Sequence, residues 1–412
     1  MRVHVVSLVF PPEPVTSARV ASDVADALVD RGHDVTVFCP FPNRPHGRLR
    51  PPVRRRLAQS GDVDGYRVTR TWHTLSRSST LLSRGFENVS FGITSSIAVL
   101  RAPRADVAYV SNWPLIAQLL NAVVLRLKRT PVVLVVKDLY PETLISRDAG
   151  KVSRAVERLL IRLDATVCGM SAKITTISER QRSAVVASRA VRPDDVVHIP
   201  DWFEHVEIDE AQADRFRRDH GLDDSIVALY AGSITRAAGL DALVDAAREL
   251  RDRPDLRVVL VGDGVDRVRL EALRDEHGLE RLKFVHPLRP EEVAAVHEAA
   301  DMLIVSLAPG VARHAVPSKM ISYLFAGKPV IASVDGDSGA ADFARTTGCG
   351  VVTPAGDGAE LAAAIASLAD DPERRRSLGN AALAASEDFE SDVLVDRVCA
   401  LLEAAASSLA KM

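Results

Sequence analysis

Ser318 and Lys319 carry the clearest chemical signal in the sequence, because they follow Pro317 at the predicted start of a short helix. Proline suits the first turn of a helix, where its missing N–H is not needed. The open N–H groups of that turn, the positive end of the helix dipole and a lysine ammonium together attract anions. The pattern therefore predicts an anion site, and a nucleoside diphosphate is a suitable ligand for it.

The helix behind this site is indicated by apolar residues that recur with helical spacing on one face, namely Met320, Ile321, Leu324 and Phe325. Ser322 falls on the more polar side with the two site residues. Gly327 is expected to end the helix, and Pro329 keeps it from resuming. A short buried strand at residues 330–332 follows, which places the helix start at one rim of a parallel sheet. A plain buried helix–strand unit without a ligand is the alternative interpretation.

Length and composition limit the class of protein. A chain of 412 residues is too long for one ordinary core and suggests two domains. Hydrophobic residues make up 47% and charged residues 26%, which is typical of a globular protein, and a net charge of −3 does not favour a general nucleic-acid binder. The cysteines lack the paired spacing of zinc or redox sites and are expected to be small buried residues: Cys39, Cys168, Cys349 and Cys399.

The sequence shows no signal-peptide pattern, and no apolar run reaches the roughly 18 residues of a transmembrane helix. We therefore expect a cytoplasmic protein.

Residues 44–56 are rich in arginine and proline. This segment is either a basic loop that meets a phosphorylated or membrane-borne substrate, or a solvated loop without a role. A peripheral position at the inner face of the membrane is therefore left open.

Both halves of the chain alternate buried strands with helices, a pattern that predicts parallel sheets. The strands are expected at residues 3–10, 34–39, 66–72, 106–112, 131–136, 172–177, 196–200, 226–231, 256–261, 284–288, 301–306 and 330–332. Helical segments are expected at 358–385 and at about 392–409, and the interdomain linker between about 202 and 214. The sequence thus predicts an α/β fold of two doubly wound Rossmann-like domains that face a central cleft.

Ligands of doubly wound sheets bind beyond the carboxyl ends of the strands, where Asp138 follows the strand at 131–136. A carboxylate there could orient a substrate hydroxyl or act as a base, and the alternative is a helix cap or a loop ion pair with Lys137. The loop at residues 11–18 follows the first strand without a Gly-x-Gly-x-x-Gly dinucleotide fingerprint.

These motifs resemble family 4 glycosyltransferases with the GT-B fold, in particular the branch of colanic-acid and O-antigen sugar transferases. The shared features are the Pro-Ser-Lys helix start with Ala-Gly-Lys-Pro-Val after it, Asp-Leu-Tyr-Pro-Glu at 138–142 and the crossover at 201–203. The resemblance implies an acceptor-binding domain at 1–203 and a donor-binding domain at 204–390. It also implies a helix at 391–412 that crosses back to the first domain.

The resemblance implies a retaining hexosyltransferase that moves a sugar from a nucleoside diphosphate, with UDP expected, to a hydroxyl of a small-molecule or lipid-linked acceptor. Polysaccharide, glycolipid or natural-product glycoside synthesis would be its setting, without a metal or other cofactor. The implied donor-binding residues are Gly232, Ser233, Arg236, Gly262, His286, Pro287, Ser318, Lys319 and Ser322. The implied acceptor-side residues are Thr16, Ser17, Trp113 and Tyr140, and the implied catalytic residues are Asp138 and His314.

The sequence departs from the family pattern where acidic and basic residues are expected. Ser233 and Ala238 replace an Arg/Lys clamp for the diphosphate, which shifts the neutralising charge to Lys319 and Arg236. Two glutamates eight residues apart are replaced by His314 and Ser322, and a glycine pair in the loop after the first strand is replaced by residues 15–17. Two alternatives therefore remain: a GT-B nucleotide-sugar epimerase, and a non-catalytic relative that binds a ligand or partner.

Overall fold

The computed structural model of the chain describes residues 1–13, 15–43, 57–75, 81–112, 114–139, 154–203, 209–286, 289, 292–311 and 316–409. These residues form two compact units. The first consists of Met1–Asp201 together with Asp392–Met412, and the second of Trp202–Ser391. The boundaries expected from the sequence were at 203/204 and 390/391.

The first unit is built on an eight-stranded sheet with the order β3-β4-β2-β1-β5-β6-β7-β8. Its strands are β1 (Arg2–Val6), β2 (Asp34–Pro40), β3 (Ala58–Val63), β4 (Tyr66–Thr71), β5 (Val107–Ser111), β6 (Val132–Val136), β7 (Lys173–Thr176) and β8 (Val196–His198). Its helices are α1 (Thr16–Asp30), α2 (Leu81–Arg101), α3 (Leu115–Leu127), α4 (Arg154–Met170) and α5 (Glu179–Arg189). The pairings are parallel except for that of β3 with β4.

One prediction for this sheet was wrong, and one strand was not predicted. The first strand ends at Val6 rather than at residue 10, because the Ser7 hydroxyl donates to the Val9 carbonyl and the chain then enters a proline-rich turn. The edge strand β3 was not predicted, since its sequence Ala-Gln-Ser-Gly-Asp-Val is exposed throughout and has no alternating apolar pattern.

The second unit is built on a six-stranded parallel sheet with the order β11-β10-β9-β12-β13-β14. Its strands are β9 (Ile226–Ala231), β10 (Leu256–Val261), β11 (Leu282–Val285), β12 (Met302–Ser306), β13 (Val330–Ser333) and β14 (Gly350–Thr353). Its helices are α6 (Glu210–Asp219), α7 (Asp241–Glu249), α8 (Arg267–Glu276), α9 (Val293–Glu298), α10 (Ser318–Phe325), α11 (Gly339–Thr347), α12 (Gly358–Asp370) and α13 (Pro372–Ser386). The predicted linker was too long at its C-terminal end, because α6 begins at Glu210.

Helices cover both faces of the second sheet. Along β9, Ala228 and Tyr230 point into one buried cluster, and Val227 and Leu229 point into the other. A strand buried on both faces needs this nearly continuous apolar sequence. The expected fold class is therefore confirmed: the chain is α/β, with two doubly wound, largely parallel sheets.

Each sheet has a point at which the chain reverses its direction of winding. In the second unit β9 is central: β10 and β11 lie on one side of it, and β12, β13 and β14 lie on the other. The loops after β9 and β12 therefore leave the sheet in opposite directions and open a crevice at the carboxyl ends of the strands. In the first unit the corresponding point lies between β1 and β5.

The last helix, α14 (Ser391–Leu409), packs against the first unit. The Arg31 guanidinium lies 2.5 Å from the Asp396 carboxylate, and the His33 ring lies 3.0 Å from the Glu403 carboxylate. All four cysteines are buried, as expected. None of the helices in the described ranges is long and apolar enough to cross a membrane.

Candidate functional site

The turns that follow β9 and β10 are joined by backbone hydrogen bonds that extend the sheet past its strands. The Gly232 N–H donates to the Val261 carbonyl at 2.9 Å, and the Ile234 N–H donates to the Asp263 carbonyl at 2.8 Å. The Gly262 N–H donates to the Val285 carbonyl at 3.1 Å. The carboxyl rim of the second unit is therefore a fixed platform of backbone.

Glycine is required in this platform for steric reasons. A Cβ atom on Gly262 would lie 1.9 Å from the Gly232 carbonyl oxygen, and the φ of Gly262 is +149°. A Cβ atom on Gly232 would lie 2.5 Å from the Lys319 Nζ atom. These two glycines therefore allow the neighbouring turn and the lysine to approach the end of β9 closely.

Helix α10 begins beside this platform with an uncapped end. Pro317 is the residue before the helix, with φ −60° and ψ 130°, and no side chain caps the helix start. The placement of Pro317 inside the first turn was therefore wrong by one residue, because a proline fixes φ but leaves ψ free to be extended. Gly327 follows the helix with φ +60°, as predicted.

The Lys319 ammonium lies at the end of β9 without a carboxylate partner among the described residues. Its Nζ atom is 3.8 Å from the centroid of the Tyr230 ring, a cation–π contact that replaces only part of its hydration. Burial lowers the pKa of Lys319 to about 7. A half-buried ammonium with no counter-ion is a site where an anion would bind favourably.

The polar groups described around Lys319 add no negative charge. The Tyr230 hydroxyl donates to the Ser233 carbonyl at 2.9 Å. Burial, and then the Lys319 charge, lowers the pKa of His297 to about 4, so its ring is neutral at pH 7. The His297 ring stands edge-on to Tyr323, with 4.8 Å between the centroids. The local field at the end of β9 is therefore positive.

Arg236 is a second cation near this rim, but its surroundings differ from those of Lys319. Its side chain is 75% exposed, and its Nε atom lies 3.2 Å from the Asp266 carboxylate. The same carboxylate also pairs with Arg269 at 2.7 Å. Arg236 is thus largely solvated and already contacts a carboxylate, which it shares with Arg269.

The other predicted donor-side residues fall into an exposed and a buried group. Ser233, His286 and Ser318 are exposed at the carboxyl ends of β9 and β11 and at the start of α10. Ser322 is buried, and its hydroxyl donates to the Lys319 carbonyl at 3.0 Å. The prediction that Ser322 lies on a polar side of the helix was wrong, because residues 320–325 are all buried.

In the first unit, Thr16 and Ser17 begin helix α1 instead of standing in the loop before it. The sequence missed this start because the residue before it, Val15, gives no side-chain cap. Only the backbone of Thr16 is described, and Ser17 is half-buried.

Asp138 is exposed at the carboxyl end of β6, where the prediction placed it. The Asn112 side chain donates to the Asp138 carbonyl at 2.9 Å and accepts from the Lys137 N–H at 3.3 Å. The Lys137 ammonium lies 2.7 Å from the Asp201 carboxylate. Asn112 therefore fixes the backbone on which Asp138 stands, a role that the sequence pattern did not reveal.

Four of the predicted residues lie outside the described part of the chain: Trp113, Tyr140, Pro287 and His314. Their predicted roles stay predictions. Within the described residues, no three histidine, cysteine, aspartate or glutamate side chains gather where a metal ion could bind.

Comparison with known proteins places the chain in a family. Residues 16–202 match the model of the glycosyl transferase 4-like domain, and residues 212–384 match that of the glycosyl transferases group 1. Together the two models cover most of the chain. The first corresponds to the first unit and the second to the second unit. The chain belongs to the family 4 glycosyltransferases with the GT-B fold, a class of sugar-transferring enzymes.

Individual relatives agree with this family. The chain is 29% identical to a putative colanic acid biosynthesis glycosyl transferase, WcaI of Escherichia coli K12, over 37% of this chain and 38% of the relative. It is 25% identical to a probable glycosyltransferase, WbjE of Pseudomonas aeruginosa, over 78% of both chains. The first match thus spans well under half of the relative.

A solved structure shares the fold over the full length. The crystal structure of Anabaena Alr3699/HepE in complex with UDP has a TM-score of 0.71 at 16% identity, covering 98% of this chain and all of the other. The same protein has also been solved with UDP-glucose. At this identity, the likeness concerns the fold.

Proposed function

We propose that the protein transfers a sugar from a UDP-sugar to an acceptor hydroxyl, with retention at the anomeric carbon. The observation that carries this proposal is the half-buried Lys319 ammonium, which has no carboxylate partner among the described residues and lies against the Gly232 turn. A diphosphate at the end of β9 would supply the missing counter-charge. Binding of UDP and UDP-glucose by the Anabaena protein supports the choice of nucleotide.

In the proposed reaction the residues of this chain bind and orient rather than form covalent bonds. Lys319 and the open N–H groups at the start of α10 hold the diphosphate and stabilise the charge that develops on it. The acceptor oxygen attacks the anomeric carbon on the face from which the diphosphate departs. The bond from that carbon to the diphosphate oxygen breaks, and the acceptor proton passes to the departing diphosphate.

The remaining roles follow from position. Asp138, on the backbone fixed by Asn112, would orient the acceptor hydroxyl. Because Lys319 and the helix start supply positive charge at the diphosphate, the proposal includes no metal ion. Treatment with EDTA should therefore leave turnover unchanged.

The proposal is tested by a thermal-shift screen of UDP, GDP, ADP and TDP, followed by turnover with the corresponding glucose donors. A ligand at about 100 times its dissociation constant adds about 2.7 kcal/mol to stability, which is easily detected. We expect UDP to give the largest shift. Conversion of a UDP-sugar without any acceptor would favour an epimerase, and the absence of any nucleotide shift would contradict the proposal.

Donor affinity should depend on pH through Lys319. The ligand-free amine has a pKa lowered by burial to about 7, and a bound diphosphate stabilises the charged form and raises that pKa. UDP-glucose binding should then be constant below pH 7 and weaken by up to about tenfold for each pH unit above it, until the raised pKa of the complex is reached. Titrations at pH 6, 7, 8 and 9 check this, and equal affinity at pH 6 and 9 would contradict it.

Ser322 leads us to expect weak discrimination between ribose and deoxyribose. By resemblance, a glutamate at this position would hold the ribose hydroxyls. The Ser322 hydroxyl is neutral and already donates to the Lys319 carbonyl. UDP should bind no more than about tenfold, or 1.4 kcal/mol, tighter than deoxy-UDP. A preference of roughly a thousandfold in paired titrations would mean that another residue holds the ribose.

We further propose that the protein works at the inner face of the membrane on a lipid-linked acceptor. Support comes from an apolar stripe of exposed residues along one side of α2: Phe86, Val89, Ile93, Ile97 and Leu100. Flotation with anionic phospholipid vesicles should recover the protein, and the double change Phe86→Ser with Ile93→Ser should reduce that recovery. Equal recovery of the two proteins would contradict this assignment.

A further inference from the structure

The central strands of the second unit separate before they end. The pairing of β9 with β12 stops after two residue pairs, Ala228 with Met302 and Leu229 with Leu303. Both strands remain paired with their other neighbours up to Ala231 and Ser306. The sheet is therefore split at its switch point, directly below the turn that Lys319 contacts.

The Tyr323 hydroxyl occupies this split. It accepts a hydrogen bond from the Ala231 N–H at 3.1 Å and lies 3.3 Å from the Ala231 carbonyl and 3.5 Å from the Ile304 carbonyl. Continued parallel pairing would bond the Ala231 N–H directly to the Ile304 carbonyl. The phenol thus takes the place of a missing ladder bond between the two strands.

Tyr323 and Lys319 are connected through their helix. They stand four residues apart on the same side of α10. A hydrogen bond made by Tyr323 therefore also fixes where Lys319 lies relative to the sheet. Tyr323 is completely buried. Within the described ranges its hydroxyl bonds to the backbone at the split, and its ring contacts His297. Its hydroxyl is the hydrogen-bonded link between α10 and the end of β9 in this part of the chain, beside the contact of Lys319 with the Tyr230 ring.

We propose that Tyr323 is a positioning residue for the donor site: its hydroxyl holds β9 and β12 apart and keeps Lys319 over the turn at Gly232. This inference rests on the proposed function, because it treats the Lys319 site as the diphosphate site. Without the hydroxyl, the strands would be free to pair directly and α10 would lose its link to β9. The lysine would then move away from the Tyr230 ring.

The first test compares UDP binding by the wild type, Tyr323→Phe and Tyr66→Phe. Tyr66 is a matched control, since it is also buried and its hydroxyl bonds to Asp26 in the first unit. We expect Tyr323→Phe to raise the Kd for UDP by about tenfold or more, with Tyr66→Phe within about twofold of the wild type. Equal Kd values for Tyr323→Phe and the wild type would overturn the inference and leave the proposed function intact.

A second measurement needs no nucleotide and so stays informative if UDP does not bind. Lysine side chains labelled with ¹³C are titrated by NMR, and the signal absent from Lys319→Met identifies Lys319. In Tyr323→Phe its midpoint should move upward by at least about one pH unit, because the amine is released toward solvent. Superimposable titration curves for the two proteins would overturn the inference. If the wild type does not bind UDP, that result would instead count against the proposed function.

Discussion

Replacing Lys319 with alanine is expected to weaken UDP-glucose binding by roughly 1.5–3 kcal/mol, or about 10- to 150-fold. The Lys319 ammonium has no carboxylate partner in the described part of the chain and lies over Tyr230, so an incoming diphosphate meets a charge that is still available. Turnover should fall by a similar factor if the charge stabilises the departing diphosphate. Calorimetric titration and initial rates measure the two effects separately.

Arg236→Ala provides the comparison for this variant. Arg236 is also a cation near the rim, but it is solvated and paired with Asp266, so its removal should change binding by less than about threefold. A larger loss in Arg236→Ala than in Lys319→Ala would reverse our ranking of the two cations. Wild-type affinity in a correctly folded Lys319→Ala protein would remove the basis of the proposed site.

Gly262→Ala is expected to have the second large effect, on stability. Its new Cβ atom would lie 1.9 Å from the Gly232 carbonyl oxygen, and that oxygen belongs to backbone held by the neighbouring strand. Moving the two turns apart should destabilise the second unit by roughly 3–5 kcal/mol. Urea unfolding followed by circular dichroism measures this loss, and binding of UDP should be lost with it because Gly232 contacts Lys319.

Gly278→Ala separates the steric effect from the effect of the backbone angle. Gly278 has φ +61°, and a Cβ atom there would meet nothing within 4 Å. The Gly278→Ala protein should therefore lose only about 1 kcal/mol of unfolding free energy, the usual penalty for a left-handed residue with a side chain. Similar losses in the two variants would show that close approach of the turns is not what requires glycine at position 262.

The sequence predicted five of the six strands of the second sheet from local apolar runs, and it missed the edge strand β14. The strands at 226–231 and 256–261 were placed at their observed bounds, since each is a largely apolar run that is followed directly by a glycine. The edge strand β3 was missed, because exposed residues with low strand propensity form it only through pairing with β4.

The surroundings of Lys319 were predicted in part. The helix start and Lys319 follow from local signals, and the structure adds that this lysine lies beside Gly232, which is far away in the sequence. Neither Tyr230 nor Tyr323 could have been assigned a role beforehand, because their contacts depend on where β9 and β12 separate. Periodicity also misplaced Ser322, since a helix buried nearly all round has no polar face to detect.

Proton uptake on donor binding tests the central assignment most directly. UDP-glucose is titrated into the protein at pH 8 by calorimetry in two buffers that differ in ionisation enthalpy. With a ligand-free pKa of about 7, Lys319 is mostly neutral at this pH and should gain up to about 0.9 proton when the diphosphate binds. We predict an uptake close to this value in the wild type and in Arg236→Ala, and none in Lys319→Ala. Binding without proton uptake, or the same uptake in Lys319→Ala, would contradict the placement of the diphosphate at Lys319.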